Sequence, residues 1–226
     1  MIRAAIFDLD GLLIDSEPLW REGEARVYRS LGLPVTEDEM RETTGTRLDA
    51  MVDYWYRKYP WQGPSVQDVM AMVEQEIIRL ISAHGEPLPG ALDAVRTAAG
   101  LGLKTAIASS SSLPVIDAAL ERLAVRPYVR LVRSALDEPH GKPHPAVYLT
   151  TAEMLGVPPV ECVAFEDSVT GVIAAKAARM TCVAVPEPVA RGRREYGVAD
   201  VVLDSMTQVT PAFFQQLGIG EPLARR

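Results

Sequence analysis

Four short polar clusters in this chain carry the residue types that could do chemistry. Three of them come directly after runs of apolar residues, and the fourth opens a stretch with a helical pattern. The clusters are Asp8-Leu9-Asp10-Gly11, Ser109-Ser110-Ser111-Ser112, Gly141-Lys142-Pro143 and Glu166-Asp167-Ser168. Each cluster alone has an ordinary explanation, since a turn, a helix cap, a loop or a solvated lysine would use the same residues. Their combination, in this order and at these places, makes them candidates for one site.

The charges and donor atoms of these clusters indicate what they could bind. Four carboxylates crowded together, those of Asp8, Asp10, Glu166 and Asp167, need a cation, and oxygen-only ligands indicate a hard ion such as Mg²⁺. Hydroxyl groups and backbone amides at the start of a helix, with a lysine nearby, suit a phosphate group. The residue types therefore favour a site for a phosphate and a divalent cation.

The elements that must position these clusters are the strands of a parallel sheet. Helical patterns alternate with apolar runs at 103–108, 129–132, 162–165, 182–185 and 201–203. This alternation is typical of βαβ units, which build a doubly wound α/β sheet covered on both faces. The run 2–7 supplies one more strand. Because ligands bind beyond the carboxyl ends of such strands, the polar clusters that follow them are expected to meet at one edge.

Only helical patterns occur between the first strand and residue 88, from about 18 to 31 and from about 36 to 83. Thr36-x-x-Glu39 is a capping box, and Ser65-x-x-Asp68 resembles one. Further along, a helix is predicted to begin at Pro143. We therefore predict a core domain made of residues 1–15 and 88–226, interrupted by an all-helical cap domain of residues 16–87.

The composition narrows the classes of protein. The 226 residues carry 23 Lys and Arg against 30 Asp and Glu, a formal net charge of −7, which disfavours nucleic acid as a partner. No uncharged run is long and apolar enough to span a membrane. We expect a cytoplasmic, monomeric protein that acts on a small molecule. Cys162 and Cys182 lie in apolar runs, so we expect two small buried side chains and not a redox pair.

At the four clusters the sequence resembles the haloacid dehalogenase-like phosphatases. The chain matches all four motifs of that family. They are Asp8-Leu9-Asp10-Gly11, Ser109 and Glu166-Asp167, each after a predicted strand, and Lys142-Pro143. The resemblance covers residues 2–205 and implies a Rossmann-like core with a small C1-type helical cap. More narrowly, the stretches 8–20 and 142–145 and several Trp and Pro residues of the cap resemble bacterial hexitol and 2-deoxyglucose-6-phosphate phosphatases.

This resemblance implies a role for each carboxylate. Asp8 would attack phosphorus to form an aspartyl-phosphate, and Asp10 would protonate the leaving sugar oxygen and then activate water. Asp8, the backbone carbonyl of Asp10 and Asp167 would hold Mg²⁺, with Glu166 bound directly or through a water. A carboxylate is already ionised at neutral pH, and the metal would offset its repulsion with the phosphate.

The resemblance assigns the phosphate to the two remaining motifs. Ser109 and the backbone amide of Ser110 would bind the phosphate oxygens, and Lys142 would neutralise charge on the phosphate and on Asp8. In-line phosphoryl transfer needs mainly placement and positive charge, which this set of residues would provide.

The cap is expected to choose the substrate through Glu17, Trp20 and Arg47. Glu17 could bind sugar hydroxyls, Trp20 could stack on a sugar face, and Arg47 could reach the substrate. Their ordinary alternatives are an acid in a first helical turn, a core tryptophan and a solvated arginine. His144 is expected to be a residue of a first helical turn.

The favoured function is hydrolysis of a sugar or hexitol phosphate, and two alternatives stay open. A β-phosphoglucomutase-like enzyme tends to carry His where Trp20 stands and Lys-Asn after the second-motif serines, where this chain has Ser112-Leu113. A catalytically idle, ligand-sensing member of the fold would be expected to lack Asp8 or Asp10, and both are present.

Overall fold

The computed structural model describes residues 1–43 and 45–218, with Glu37 by its backbone alone, so the end of the predicted core, 219–226, lies outside it. The strands are β1 (Ala4–Phe7), β2 (Lys104–Ser109), β3 (Leu131–Ser134), β4 (Cys162–Glu166), β5 (Thr181–Ala184) and β6 (Val201–Val202). The helices are α1 (Glu17–Ser30), α2 (Glu37–Met40), α3 (Leu48–Lys58), α4 (Val66–His84), α5 (Ala91–Gly100), α6 (Leu113–Arg122), α7 (Ala146–Leu155), α8 (Val169–Ala177) and α9 (Pro211–Gln216). Short 3-10 helices lie at Arg41–Thr43, Arg126–Tyr128, Ala135–Asp137, Pro159–Glu161, Pro188–Ala190, Arg194–Val198 and Met206–Gln208.

All the strands belong to one parallel sheet, whose order is β3-β2-β1-β4-β5-β6. The first strand lies near its middle, where Phe7 pairs with Ile107 of β2 and with Phe165 of β4. Asp8 and Glu166, the next residues along β1 and β4, therefore reach the carboxyl edge of the sheet side by side. This arrangement confirms the predicted doubly wound α/β fold.

Both faces of the sheet are covered, which explains why its strands read as continuous apolar runs. Along β1, Ala5 and Phe7 contribute to one hydrophobic cluster and Ala4 and Ile6 to another, as the twofold repeat of a strand requires. All four residues are fully buried. The first charged residue after this strand is Asp8.

Helices α1 to α4 fill the segment for which only helical structure is predicted. Both predicted caps form, since Thr36 and Ser65 each accept a hydrogen bond from the backbone three residues on. The longest helix, α4, buries one stripe, formed by Val69, Val73, Ile77, Leu80 and Ile81. It packs against α1 and against α6, which in turn contacts β3 of the sheet. The division into core and cap domains stays a prediction.

Some predicted boundaries are wrong by a few residues. The helix expected from Pro143 begins at Ala146, because a residue before proline avoids the helical conformation and His144 precedes Pro145. The third strand covers Leu131–Ser134 instead of 129–132. Cys162 and Cys182 are free and buried, as expected. Among the described residues, no helix has both the length and the apolar character needed to cross a membrane.

Candidate active site

The carboxyl edge of the sheet forms one wall of a cavity of about 90 Å³, and the helical segment forms the opposite wall. From the sheet edge and its loops the lining includes Asp8, Asp10, Ser109, Ser110, Lys142 and Asp167. From the helical segment it includes Glu17, Trp20, Arg21, Glu24, Met40 and Met51. The predicted site residues therefore meet at one place, with two exceptions. Glu166 lies behind the cavity wall, and Arg47 is not among the residues that line the cavity.

Lys142 connects two of the carboxylates. Its side chain is 3% exposed, and its Nζ lies 2.6 Å from Asp8 Oδ1 and 2.6 Å from Glu166 Oε1. The third donor of the ammonium group reaches the backbone carbonyl of Ala108 at 3.1 Å. Although burial lowers the pKa of Lys142, the charges of Asp8 and Glu166 raise it above its usual value. The lysine is therefore a fixed positive charge with every donor used.

Glu166 is the most enclosed of the acids and is fully buried. Its Oε1 accepts from Lys142 and from the hydroxyl of Tyr148, and its Oε2 accepts from Ser168 at 3.3 Å. Room for the carboxylate comes from Gly171, where any side chain would overlap it. Charge, hydrogen bonds and space thus hold Glu166 in one position.

Asp8, Glu166 and Asp167 form a possible acidic metal-binding cluster, since one oxygen of each lies within 4.8 Å of the others. Burial raises the pKa of Asp8 to about 8, with Lys142 opposing the rise and Glu166 and Asp10 adding to it. Burial, followed by the charges of Asp8 and Glu166, raises the pKa of Asp167 well above its usual value. With Asp10 included, four carboxylates face one lysine, and this excess of negative charge fits a bound cation.

Asp10 is held by donors from two directions. Ser16 at 2.6 Å and Trp20 Nε1 at 3.0 Å donate to its Oδ1. Ser111 at 2.7 Å and Ser109 at 3.3 Å donate to its Oδ2. One oxygen is therefore oriented by the chain leading into and along α1, and the other by the loop after β2. This carboxyl group is fixed at the junction between the sheet edge and the helical segment.

The turn after Asp10 requires a glycine. Gly11 has φ of 73°, and a β-carbon there would also overlap the carboxylate of Asp167. The first motif, which includes Gly11, and the fourth motif, which includes Asp167, can therefore pack together only because residue 11 has no side chain.

The residues predicted to contact the substrate from the cap have different positions. Glu17 and Trp20 line the cavity. Burial, followed by the charge of Asp10, raises the pKa of Glu17 to about 7. Arg47 does not line the cavity, since its guanidinium donates to the backbone carbonyls of Ala135 at 3.0 Å and Glu138 at 2.9 Å, and its contact with the substrate stays a prediction. His144 is exposed and does not line the cavity.

The comparison with known proteins agrees with this geometry. A family model described as haloacid dehalogenase-like hydrolase matches residues 2–179. The chain belongs to this family. In this HAD-like hydrolase the four motifs are the four clusters that meet at the carboxyl edge of the sheet.

Relatives of this HAD-like hydrolase include phosphatases. Hexitol phosphatase B of Escherichia coli (strain K12) is 45% identical over 210 residues, which are 92% of this chain and 95% of that protein. The phosphorylated carbohydrates phosphatase of Thermotoga maritima is 34% identical over 181 residues, 78% of this chain and 82% of that protein. A CbbY variant from Rhodobacter sphaeroides, crystallised in complex with xylulose 1,5-bisphosphate, has a TM-score of 0.84 at 29% identity and covers 92% of this chain and 96% of its own. The predicted family and the predicted enzyme class, a phosphatase, are confirmed.

Several polar groups of the HAD-like site are absent from the sequence-based prediction. Ser16 and Ser111 orient Asp10, Tyr148 donates to Glu166, and Glu24 lines the cavity. The serine run does signal Ser111, which lies two residues after Ser109. No local pattern marks Tyr148 or Glu24, because a tyrosine or a glutamate in an amphipathic helix has the same spacing as an ordinary helical residue.

Proposed function

We propose that this protein is a Mg²⁺-dependent phosphatase of sugar and hexitol phosphates that works through an aspartyl-phosphate on Asp8. The observation that carries the proposal is the position of Asp8. Its carboxylate directly follows the central strand, lines the cavity, is paired with Lys142 and belongs to the acidic cluster with Glu166 and Asp167. A nucleophile held beside a fixed positive charge and a cation site is what transfer of a dianionic phosphoryl group needs.

The donor set supports Mg²⁺ as the cation. Asp8 and Asp167 offer carboxylate oxygens, and the backbone carbonyl of Asp10 would be a third protein ligand. Both oxygens of Glu166 already accept hydrogen bonds, so we assign it to contact through water and to the positioning of Lys142. When bound, Mg²⁺ would polarise the phosphate and offset its negative charge. A ligand set of oxygens with no nitrogen or sulfur suits this hard ion.

The residues of the chain divide the chemistry between them. An oxygen of Asp8 forms a bond to phosphorus as the bond from phosphorus to the sugar oxygen breaks, and Asp10 gives a proton to that leaving oxygen. Asp10 then takes a proton from water, whose oxygen attacks phosphorus and releases Asp8 and inorganic phosphate. Ser109 and the amide of Ser110 bind the phosphate oxygens, and Lys142 neutralises charge on the phosphate and on Asp8 from its fixed position. The four hydrogen bonds to Asp10 hold its carboxyl group in place for both proton transfers.

The substrate class rests on the relatives and on the cavity. Hexitol phosphatase B and the phosphorylated carbohydrates phosphatase are named for such compounds. The present cavity of about 90 Å³ is well below the roughly 300 Å³ at which small-molecule sites begin, so the helical segment has to move outward to admit a sugar phosphate. The carboxyl and hydroxyl groups among its lining residues favour a hydroxylated substrate over a wholly apolar one.

The cavity supports hydrolysis over mutase chemistry. A mutase has to keep water from the aspartyl-phosphate and couple proton transfer to a bound sugar. The described groups that hydrogen-bond Asp10 are three serines and Trp20, and none of them exchanges a proton near neutral pH. The idle-member alternative has no support either, since Asp8 and Asp10 are both present in the cavity.

Phosphate release across a panel of sugar, hexitol and nucleotide phosphates with Mg²⁺ tests the proposal. We expect steady release from hexitol phosphates and from 2-deoxyglucose 6-phosphate, loss of activity in excess chelator, and recovery with Mg²⁺. Phosphorus NMR on β-glucose 1-phosphate should show free phosphate and no build-up of glucose 6-phosphate, even with a bisphosphate primer. Faster formation of the 6-phosphate would establish the mutase alternative, and full activity in excess chelator would exclude a requirement for the metal.

A further inference from the structure

The helix α1 presents one polar stripe to the cavity. Glu17, Trp20, Arg21 and Glu24 all line it, at intervals of three, four and seven residues that place them on one helical face. Three of the four have partners within the protein. Trp20 donates to Asp10, and Arg21 lies 3.6 Å from Glu17. Glu24 is the member of the stripe whose hydrogen-bonding capacity is unused.

Glu24 is buried as well as unpartnered. The residue is 5% exposed, and its Oε2 is enclosed without a hydrogen-bond partner. Leaving a buried acceptor unsatisfied costs about 1–3 kcal/mol, so such groups are rare in folded proteins and usually meet a ligand or a water. Burial, followed by the charge of Glu17, raises the pKa of Glu24 to about 8. Glu24 thus lines the cavity with one carboxyl oxygen enclosed and unpaired, at an energetic cost that no described residue offsets.

The surroundings of Glu24 limit which chemical groups of a ligand could hydrogen-bond to its carboxyl group. Met40 and Met51 add apolar surface to the same cavity, and Arg21 is already near Glu17. A second phosphate would need positive charge, and Arg21, which supplies it at this end of the cavity, is already paired with Glu17. A neutral hydroxyl both donates and accepts, so it can pair with Glu24 whether that group is protonated or ionised.

We propose that Glu24 is a specificity residue that binds hydroxyl groups of the substrate on the carbons remote from the phosphate. The inference rests on the proposed phosphatase function and makes its substrate class narrower. The substrate is a polyhydroxylated monophosphate, with the phosphate at the sheet edge and its hydroxyls against α1. Sugar bisphosphates of the same carbon skeleton are poor substrates.

Two matched esters separate recognition of hydroxyls from the chemical step. Sorbitol 6-phosphate and hexyl phosphate have the same six-carbon chain, and only the first carries hydroxyls on the remaining carbons. We expect Glu24→Leu to lower kcat/KM for sorbitol 6-phosphate by about 10- to 100-fold, mainly through KM, and to change it less than about twofold for hexyl phosphate. Glu24→Gln, which keeps one acceptor, should recover most of the loss.

Stability supplies a second readout, because removal of an unsatisfied buried group should stabilise the fold. Glu24→Leu is expected to raise the thermal midpoint of unfolding by about 2–5 °C while it weakens the binding of sorbitol 6-phosphate. The control is Glu22→Leu on the same helix, since Glu22 is exposed and paired with Arg26. Glu22→Leu should leave kcat/KM for both esters unchanged.

The outcomes distinguish this inference from the proposed function. Equal losses for the two esters in Glu24→Leu, or no loss for either, would overturn the role of Glu24 and leave the phosphatase intact. The same holds if wild-type protein hydrolyses glucose 1,6-bisphosphate as well as glucose 6-phosphate. If wild-type protein hydrolyses none of these esters, the proposed function fails. Calorimetric binding of sorbitol 6-phosphate and hexyl phosphate to wild-type and Glu24→Leu protein would then still decide the role of Glu24.

Discussion

The polar groups at the two ends of the cavity differ in how completely they are hydrogen-bonded within the protein. At the sheet edge, Lys142 uses three donors within the protein and Asp10 accepts four hydrogen bonds. At the helical end, Glu24 is buried and its Oε2 has no hydrogen-bond partner. The difference indicates that the phosphate end is organised before the substrate arrives, whereas the helical end is completed by the substrate.

This contrast has a physical basis in what each end has to do. The reacting atoms at the sheet edge need fixed positions, because transition-state stabilisation depends on groups that do not reorganise. The helical end has to discriminate between substrates, and a site built to hydrogen-bond a hydroxyl rejects molecules that lack it. Four variants test the contrast, and they follow in order of decreasing expected effect.

Asp8→Asn should remove activity almost completely. The amide keeps the shape of the carboxylate and can still contact Lys142, but it cannot form the aspartyl-phosphate, so we expect kcat to fall by roughly a thousandfold or more. Stability should be retained or rise, since burial already disfavours the ionised carboxylate. Asp93→Asn, at an exposed acid on α5, is the control and should be active. Retention of more than a few per cent of activity would exclude Asp8 as the nucleophile.

Gly171→Ala should disrupt the sheet edge through a single methyl group. The added β-carbon would overlap the carboxylate of Glu166, which Lys142 and Tyr148 prevent from moving aside, so the free energy of unfolding should fall by about 3 kcal/mol. Denaturant unfolding of the variant measures this loss. Gly100→Ala, at a helical glycine with open space around it, should be neutral or slightly stabilising. Equal stability of the two variants would show that Glu166 is free to move.

Glu24→Gln should change how stability depends on pH. The pKa of Glu24 is about 8 in the folded protein against an ordinary 4.5, so between these values the folded chain binds the proton more tightly than the unfolded chain. Its contribution to stability is therefore present below about pH 4.5 and is lost as the pH rises to 8. Denaturant unfolding should show the variant gaining about 2 kcal/mol over wild type between pH 5 and about pH 6.5. A constant difference, like that expected of Glu22→Gln, would mean that Glu24 is hydrated.

Trp20→Phe should give the smallest effect. The ring is largely kept, but one of the four hydrogen bonds to Asp10 is lost, which is expected to cost about 1 kcal/mol, or roughly fivefold in kcat, with KM little changed. Steady-state kinetics on sorbitol 6-phosphate measure it. Trp61→Phe removes a hydrogen bond to the backbone of Pro64, away from the cavity, and should leave kcat as in wild type. A large rise in KM instead would make Trp20 a substrate contact.

The sequence by itself determined the fold class and most residues of the sheet edge. Apolar runs alternating with helical patterns predict a parallel sheet, and parallel strands end at one edge whatever their detailed packing. Asp8, Ser109 and Glu166 lie at or directly beyond strand ends, so their convergence follows from topology. The two helix caps at Thr36 and Ser65 were likewise predictable, because each depends on residues three positions apart.

The tertiary structure alone decided which side chains are partners and which have none. Lys142 and Asp8 are 134 positions apart, and Arg47 contacts carbonyls about 90 positions away, so no local pattern specifies either pairing. Glu22 and Glu24 look equivalent in the sequence. A separation of two residues turns a side chain by about 200° around a helix, so one points to solvent and Arg26 while the other points into the cavity. The packing of α1 against α4 sets that rotation, and with it the position of the unsatisfied Glu24 beside the cavity.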